Sequence, residues 1–509
     1  MKKSILTTLI FSALLVFSSC NFLEVQPHDR LTQEQVIRSE HAINTVLNGI
    51  YLEMAHNTLY GANLTMTVLE CLAQRFNVNN NRLALHFFTR FEFADSERLV
   101  ETVNAQMWEK LFAQALAVND FLDILDRTQA IPSPQRLNWL RGEALALRAF
   151  FHFDILRIWG PSPDNDDHVP FMPYNDASTG ELLQLKTATQ ILERILEDLD
   201  EAAELLVNDP IRTRGIDTLL TFDQAHDFYQ LHRNYRMNFY AVKAMQARVH
   251  LWKGNYREAA DAALVVIDAQ RLTTTANGPL FPWITHVDIS TGFNPDRIFS
   301  TEIIFGIRSR NMYNNYDQFF APTLNPANEL APLSQRLDAV FETTGAGWSD
   351  YRFDPIWRDA GADKGYRVFW KYARPNDRQQ PDPEIRRRAT RTEFFQPLIR
   401  ISEMYYIVAE SKLALGEGTP QSIWNNYLNV VRIARNIGTA EPFLGDASRL
   451  REEIRKEYQK EFWGEGQLFF YYKRLNYTTI PDALEAVGNV PTIIYRLPIP
   501  EAEQIARGN

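Results

Sequence analysis

The chain reads as a predominantly all-α protein, and three stretches carry that reading. Residues 140–160, LRGEALALRAFFHFDILRIWG, hold no proline and are rich in alanine and leucine, both strong helix formers. Gly142, Ala146, Ala149 and Phe153 line one face of that helix, and Ala144, Leu147, Phe151, Ile155 and Ile158 a second. Only Arg141, Arg148 and His152 form a thin polar stripe. A helix apolar on more than one side is packed on more than one side, so this one belongs in the middle of a helical stack. Residues 189–206 repeat Ile191, Ile195, Leu199 and Ala202 at helical spacing. Residues 235–268 give two further helices, one aligning Tyr240, Ala244, Ala247 and Leu251, the next Tyr256, Ala260, Ala263 and Ile267.

Taken in order, residues 1–19 are an address. Lys2 and Lys3 form a basic start, and residues 5–17 an apolar run shorter than the ~20 residues a membrane span takes. Ser18 and Ser19 precede Cys20 as small residues precede the acylated cysteine of a bacterial lipoprotein, with Phe17 where leucine is usual. Cys20 is therefore the expected lipidation site, residues 20–35 a lipidated tether, and residues 36–509 one domain. Cys71 would be the remaining thiol, leaving no intramolecular disulfide and no zinc pattern.

Thr32 and Gln35 read as a capping box for a helix over 33–54. Residues 61–98 are less regular, with an asparagine-rich run and then Phe87, Phe88, Phe91 and Phe93. A helix over 101–126 ends near Pro132 and Pro134, and the central helix ends at Gly160 and Pro161. Residues 161–187 are a proline-rich loop. The run LWKGNYREAADAAL places glycine at the turn, an aromatic two residues on and small residues where helices cross, which is the look of a tetratricopeptide unit; residues 401–435 echo it. Residues 271–394 change character, with many prolines, glycines and aromatics and short strands at 303–308 and 367–372. Such loop-rich insertions on a rigid scaffold are where function concentrates. Helices return over 398–415, 422–436 and 450–462, and Pro498 and Pro500 bar a central strand at the end.

Composition bounds the function. Of 509 residues 45% are hydrophobic and 23% charged, which is ordinary for a globular protein. The net charge of −10 argues against nucleic-acid binding, which needs a basic face. No H-E-x-x-H, G-x-S-x-G or phosphate-cradling glycine loop occurs. Glu403 and Glu410 share one helix face, where ion pairs holding the stack account for them better than acid–base catalysis. His152 reads as a hydrogen-bonded core residue. Asp164, Asn165, Asp166, Asp167 and His168 resemble a calcium loop but lack the glycine and distal glutamate of one. No cofactor is expected, a structural calcium ion being the one the residues suggest, and no catalytic or metal-ligating residue is assigned.

Several stretches in order resemble the SusD/RagB family: Cys20-Asn21-Phe22-Leu23, Leu47-Asn48-Gly49-Ile50-Tyr51, residues 141–160, Pro397-Leu398-Ile399-Arg400 with Glu403, Tyr405, Ala409 and Glu410, Asn429-Val430-Val431-Arg432, Glu465-Gly466 with Arg474, and Leu497-Pro498-Ile499-Pro500 with Glu503. The chain departs from that pattern at Leu468 and Tyr471, where the family often carries arginine and aspartate, and at Glu457-Tyr458, where it usually has a Glu-Arg pair.

The resemblance implies tetratricopeptide-like helix pairs scaffolding one compact SusD-like domain with long loop-rich insertions. It implies a lipid-anchored, surface-facing outer-membrane protein, no enzyme, that captures a glycan or peptide and partners a SusC-like TonB-dependent transporter. A cell-surface enzyme acting on glycans and a non-transport tetratricopeptide-type interaction protein are the alternatives. Sugar rings stack on aromatic side chains, so the expected ligand contacts are Trp283, Trp348 and Tyr351, with Asn79, Asn80 and Arg82 as polar partners.

Overall fold

The computed structural model describes residues 36–94, 98–216, 231–276, 278–290, 295–345, 349–361, 364–374, 392–438, 442–480 and 493–508. The protein is 55% helix and 6% strand, and the described residues form no closed sheet. The capping box expected at Thr32 lies outside the described residues. Helix α1 (Glu40–Met54) instead starts at Ser39, whose hydroxyl accepts the Ala42 N–H. Residues 55–94 are turns around two short helices, Val68–Leu72 and Ala84–Arg90, as the irregular composition implied. Helix α2 (Leu99–Arg127) then runs into the central helix α3 (Pro134–Trp159).

Helix α3 opens on Ser133, which accepts the Arg136 N–H, with Pro134 at its first position where no N–H is missed. From Trp139 to Trp159 every residue but Arg141 is buried. A Cβ on Gly142 would sit 2.8 Å from Leu206 Cγ and 3.2 Å from the Ala202 carbonyl, so glycine here admits α4 (Ala188–Leu205). The polar stripe is interior at two of its three positions, as expected for His152 but not for Arg148. Arg148 pairs with Asp198 at 2.7 Å, and His152 lies 2.9 Å from the Arg148 carbonyl and accepts the Asn175 N–H at 2.8 Å. Being buried, both side chains must find partners inside the stack, and they do. The far end of α3 is capped by Lys473, whose Nζ donates to the carbonyls of Arg157 at 2.7 Å and Gly160 at 2.8 Å.

The stack continues through α5 (Phe239–Lys253) and α6 (Tyr256–Leu272), joined at Gly254 with φ +79°. Side by side run α2 and α3, α3 and α4, α4 and α5, and α5 and α6. Strand β1 (Ile303–Arg308) follows, then α7 (Met312–Phe319) and a hairpin of β2 (Trp357–Asp359) and β3 (Arg367–Phe369). Strand β4 (Phe395–Arg400) returns antiparallel to β1, from Ile303 opposite Arg400 to Arg308 opposite Phe395. Residues 398–400 were expected to be helical. They are strand, because a short, fully buried apolar run shows no periodicity that tells strand from helix. Helix α8 (Ile401–Leu415) begins directly after and packs on α6.

The second predicted helix of that region, over 422–436, is broken by a π-turn over Trp424–Leu428 before α9 (Asn429–Ala434). Then come α10 (Ala447–Glu461), α11 (Gln467–Arg474) and a last turn α12 (Glu501–Ala506); α11 was not anticipated. Buried apolar side chains from Val36 to Leu497 form one continuous cluster. An ionic lattice runs through it. Arg435 Nη1 lies 2.7 Å from Glu302 Oε1, Arg352 Nη1 lies 2.6 Å from Glu457 Oε2, and Arg400 and Arg435 both grip Glu461. Burial alone would push the Glu461 carboxyl up, but Arg435, Arg400 and Arg352 outweigh it and hold it well below the usual carboxylate range. Glu403 and Glu410 are ion pairs of this kind, with Arg248 and Arg474, each at 2.6 Å.

Candidate ligand-binding shelf

The candidate shelf is assembled at the end of α6. Gln270, in the last turns of that helix, donates through Nε2 to the Phe281 carbonyl at 2.8 Å. Glu302, buried in the ionic lattice, accepts the Ile284 N–H at 3.0 Å. These two bonds hold the connecting loop on either side of Trp283. Phe281 and Phe299 both adopt left-handed backbone, φ +46° and +54°, and both rings are buried, so packing rather than glycine sets these turns.

Trp283 is half-buried, its ring 5.2 Å from that of Tyr405 and tilted by 50°. Tyr405 Oη donates to Gln270 Oε1 at 2.7 Å and accepts from Arg271 Nε at 3.1 Å. Arg271 also donates to the Asn426 carbonyl at 2.9 Å, which ties α6 to the π-turn. Such turns are frequent at functional sites. Arg435 joins the two predicted aromatics: its guanidinium lies 5.6 Å from the Trp283 centroid, and its carbonyl accepts the Tyr351 N–H at 3.1 Å. Tyr351 Oη is 3.1 Å from His286 Nδ1, with the rings 6.0 Å apart.

Two of the predicted contacts, Trp283 and Tyr351, are thus brought to one neighbourhood. Trp348 lies outside the described residues. Asn79, Asn80 and Arg82 belong to a different one: Asn80 Nδ2 donates to Asn328 Oδ1 at 2.7 Å and its Oδ1 accepts the Arg82 N–H, while Asn79 and Arg82 are exposed. Sequence reasoning missed His286 and Arg271. The pairing His286–Tyr351 spans residues far apart in sequence, and Arg271 looked like an ordinary helix-ending cation. Chemically the shelf offers two half-buried aromatic rings with a phenol, an imidazole and a guanidinium around them. That set suits a flat, polyhydroxylated ligand, whose apolar face packs on rings while its hydroxyls take hydrogen bonds.

Elsewhere, an open cleft of about 540 Å³ lies between the start of α2 and the chain's end, lined by Phe93, Ile494, Pro498 and the Arg98–Glu501 ion pair. Its lining charges balance, Arg98 and Arg496 against Glu101 and Glu501, and Phe93 is its one aromatic ring. In the acidic loop, Asp166 accepts the His168 N–H at 2.9 Å and the Thr189 hydroxyl at 3.3 Å, and Asp167 lies 3.4 Å from Arg496. No cluster of His, Cys, Asp or Glu among the described residues is arranged to hold a metal ion. Cys71 is buried, and burial pushes its thiol up to about 12.

Residues 21–216 match a family model described as "Starch-binding associating with outer membrane", and residues 335–487 match one described as "SusD family". Among curated relatives, SusD-like protein P38 of Formosa agariphila is 22% identical, over 96% of this chain and 93% of its own. SusD-like protein P2 of the same organism is also 22% identical, over 100% and 98%. Among solved structures, a SusD superfamily protein of Bacteroides vulgatus superposes with a TM-score of 0.67 at 17% identity, covering 92% of this chain and 97% of that one. A structure titled "Laminarin binding SusD-like protein" superposes at 0.61 with 16% identity over 92% and 97%.

Proposed function

Because the chain belongs to the SusD/RagB family, we propose that it captures a glycan at the bacterial surface and passes it to a SusC-like TonB-dependent transporter in the same outer membrane. The observation that carries the capture step is the pairing of Trp283 and Tyr351 around Arg435, beside His286. A laminarin-binding protein of the same fold supports a saccharide over a peptide as the ligand. Residues 1–19 act as the export signal, Cys20 carries the acyl chains, and residues 36–509 work as one binding domain. No described helix is long and apolar enough to cross a membrane, so transport is assigned to the separate β-barrel partner. Two proteins held in one membrane need only modest contacts, since tethering raises their effective concentration.

A glycan and peptide array on the purified protein, followed by calorimetry with Trp283→Ala and Tyr351→Ala, tests capture. Loss of ~2 kcal/mol or more for either variant is expected of a stacking contact at a binding hot spot. Unchanged affinity in both would move the site off this shelf. Recovery of the tagged, lipidated protein from mildly solubilised outer membranes tests the partnership; absence of any large β-barrel from the eluate would reject it.

A further inference from the structure

The arginines of the ionic lattice are matched by carboxylates, and three arginines of the loop-rich segment are not. Arg358, on β2, holds its guanidinium 4.7 Å from the centroid of Trp370, and Arg297 approaches the same ring at 6.0 Å. Arg374 lies 4.8 Å over Tyr313, and Arg297 donates to the carbonyl of the adjoining Ala373 at 2.6 Å. Tyr316, on α7, meets Trp370 edge to face at 6.4 Å. Of the nearby described carboxylates, Asp296 is held by Ser300, Asp359 by Arg367, and Glu329 through Oε2 by Lys364 and Tyr366; its Oε1 has no hydrogen-bond partner, and the exposed Asp317 follows Tyr316 in the chain. None of the three arginines forms an ion pair among the described residues.

Arg297 is only 7% exposed, yet its Nε has no hydrogen-bond partner, and the same holds for Tyr316 Oη and Trp370 Nε1. Buried polar groups in folded proteins are nearly always satisfied, so three orphans meeting at one ring need an explanation. Burial, joined by the Arg358 charge, pulls Arg297 down to about 10. Like charges held together without a counter-charge destabilise a fold unless something else requires them. The rim is open: Trp370 and Arg358 are half-buried and Arg374 is exposed.

We propose that this cluster is a binding site for an acidic saccharide, taking the carboxylate of a uronic acid or a sulfate ester between Arg297, Arg358 and Arg374, with the sugar ring beside Trp370. Guanidinium groups bind both anions through paired N–H donors, which the half-buried Arg358 and the exposed Arg374 present at the rim. The chain as a whole carries −10, so attraction of an anionic glycan must come from this local cluster. The inference rests on the glycan-capture reading and names the ligand class for it.

The test is calorimetry at low salt with three oligosaccharides of equal length: an oligogalacturonate, a carrageenan fragment, which carries sulfate esters and no uronate, and a neutral laminarin fragment. At least one acidic ligand is expected to bind about tenfold or more tighter than the neutral one, weakening as salt is raised. Arg358→Gln and Arg374→Gln, both checked for native circular dichroism, are expected to lose about tenfold or more for the acidic ligand and to leave the neutral one unchanged. Which acid binds separates the uronate from the sulfate source. Acidic binding that is unchanged in both variants overturns the proposal. So does tight neutral binding without acidic binding, although glycan capture would then stand. Binding of no saccharide would overturn both readings.

Discussion

The rings of Tyr458 and Tyr471 stack with centroids 4.3 Å apart and planes 27° from parallel. Both positions are ones where the sequence departs from the charges that its resemblance to the SusD/RagB family leads one to expect. Two of the departures therefore meet in a single contact between α10 and α11. Exchanging a set of buried charges for apolar contact is neutral or stabilising, whereas losing one charge alone leaves its partner stranded.

A double-mutant cycle with Tyr458→Leu and Tyr471→Leu is expected to show a coupling of about 0.5–1.5 kcal/mol, the usual worth of an aromatic pair beyond its buried area. Urea denaturation of the two single variants and the double variant measures it. Additive losses would mean that the rings merely fill space.

His152 makes stability depend on pH. Burial lowers its imidazole from 6.5 to about 4, and its Nε2 must stay unprotonated to accept the Asn175 N–H. Above pH 6.5 neither the folded nor the unfolded chain is protonated there, and the fold keeps its full stability. As pH falls from 6.5 towards 4 the unfolded chain takes up the proton first, and about 3 kcal/mol is lost before the effect levels off. Thermal unfolding across that range should show a shallower acid slope for His152→Gln than for the unaltered protein.

Gly142→Val is expected to destabilise by about 1–3 kcal/mol, because the new side chain meets Leu206 and the Ala202 carbonyl where α3 and α4 touch. Urea midpoints compare it with Gly49→Ala, where a Cβ meets nothing within 4 Å and no such clash arises.

Arg435→Met strips Glu302 and Glu461 of a shared partner inside the core, which costs about 3–5 kcal/mol. It also removes the guanidinium beside Trp283, so tryptophan fluorescence of the folded variant is expected to shift. An unaltered spectrum would show that the lattice does not position the shelf.

The helical stack was legible because its signals are local. Helix α3 and the pair α5–α6 follow from spacing alone, and Gly254 marks their turn by its left-handed backbone. Residues 398–400 and α11 were not legible. The first is a buried strand whose partner lies some ninety residues earlier, and the second is an aromatic run, LFFYYK, buried on all sides. Of the candidate site, aromatic content pointed to the loop-rich segment and to Trp283 and Tyr351, both of which adjoin Arg435. The pairings Tyr351–His286 and Arg358–Trp370 were hidden because they are made by tertiary packing between loops. That Arg297 has no ion pair among the described residues could be read only from its three-dimensional neighbours.

The register of β1 and β4 has a consequence for how this protein diversifies. Arg308 stands opposite Phe395, so residues 309–394 leave this strand pair and rejoin it at the same place. Closing a longer excursion between fixed ends costs only ~0.6 kcal/mol for each doubling of its length. Changes of length are therefore cheap between the segment's anchors, among them Arg352, which pairs with Glu457 and Glu461 on α10. Tyr316, Arg358, Trp370 and Arg374 all lie within it. The arginine-rich cluster can thus vary largely within one segment, while Trp283, Tyr405 and Arg435 of the shelf lie outside it.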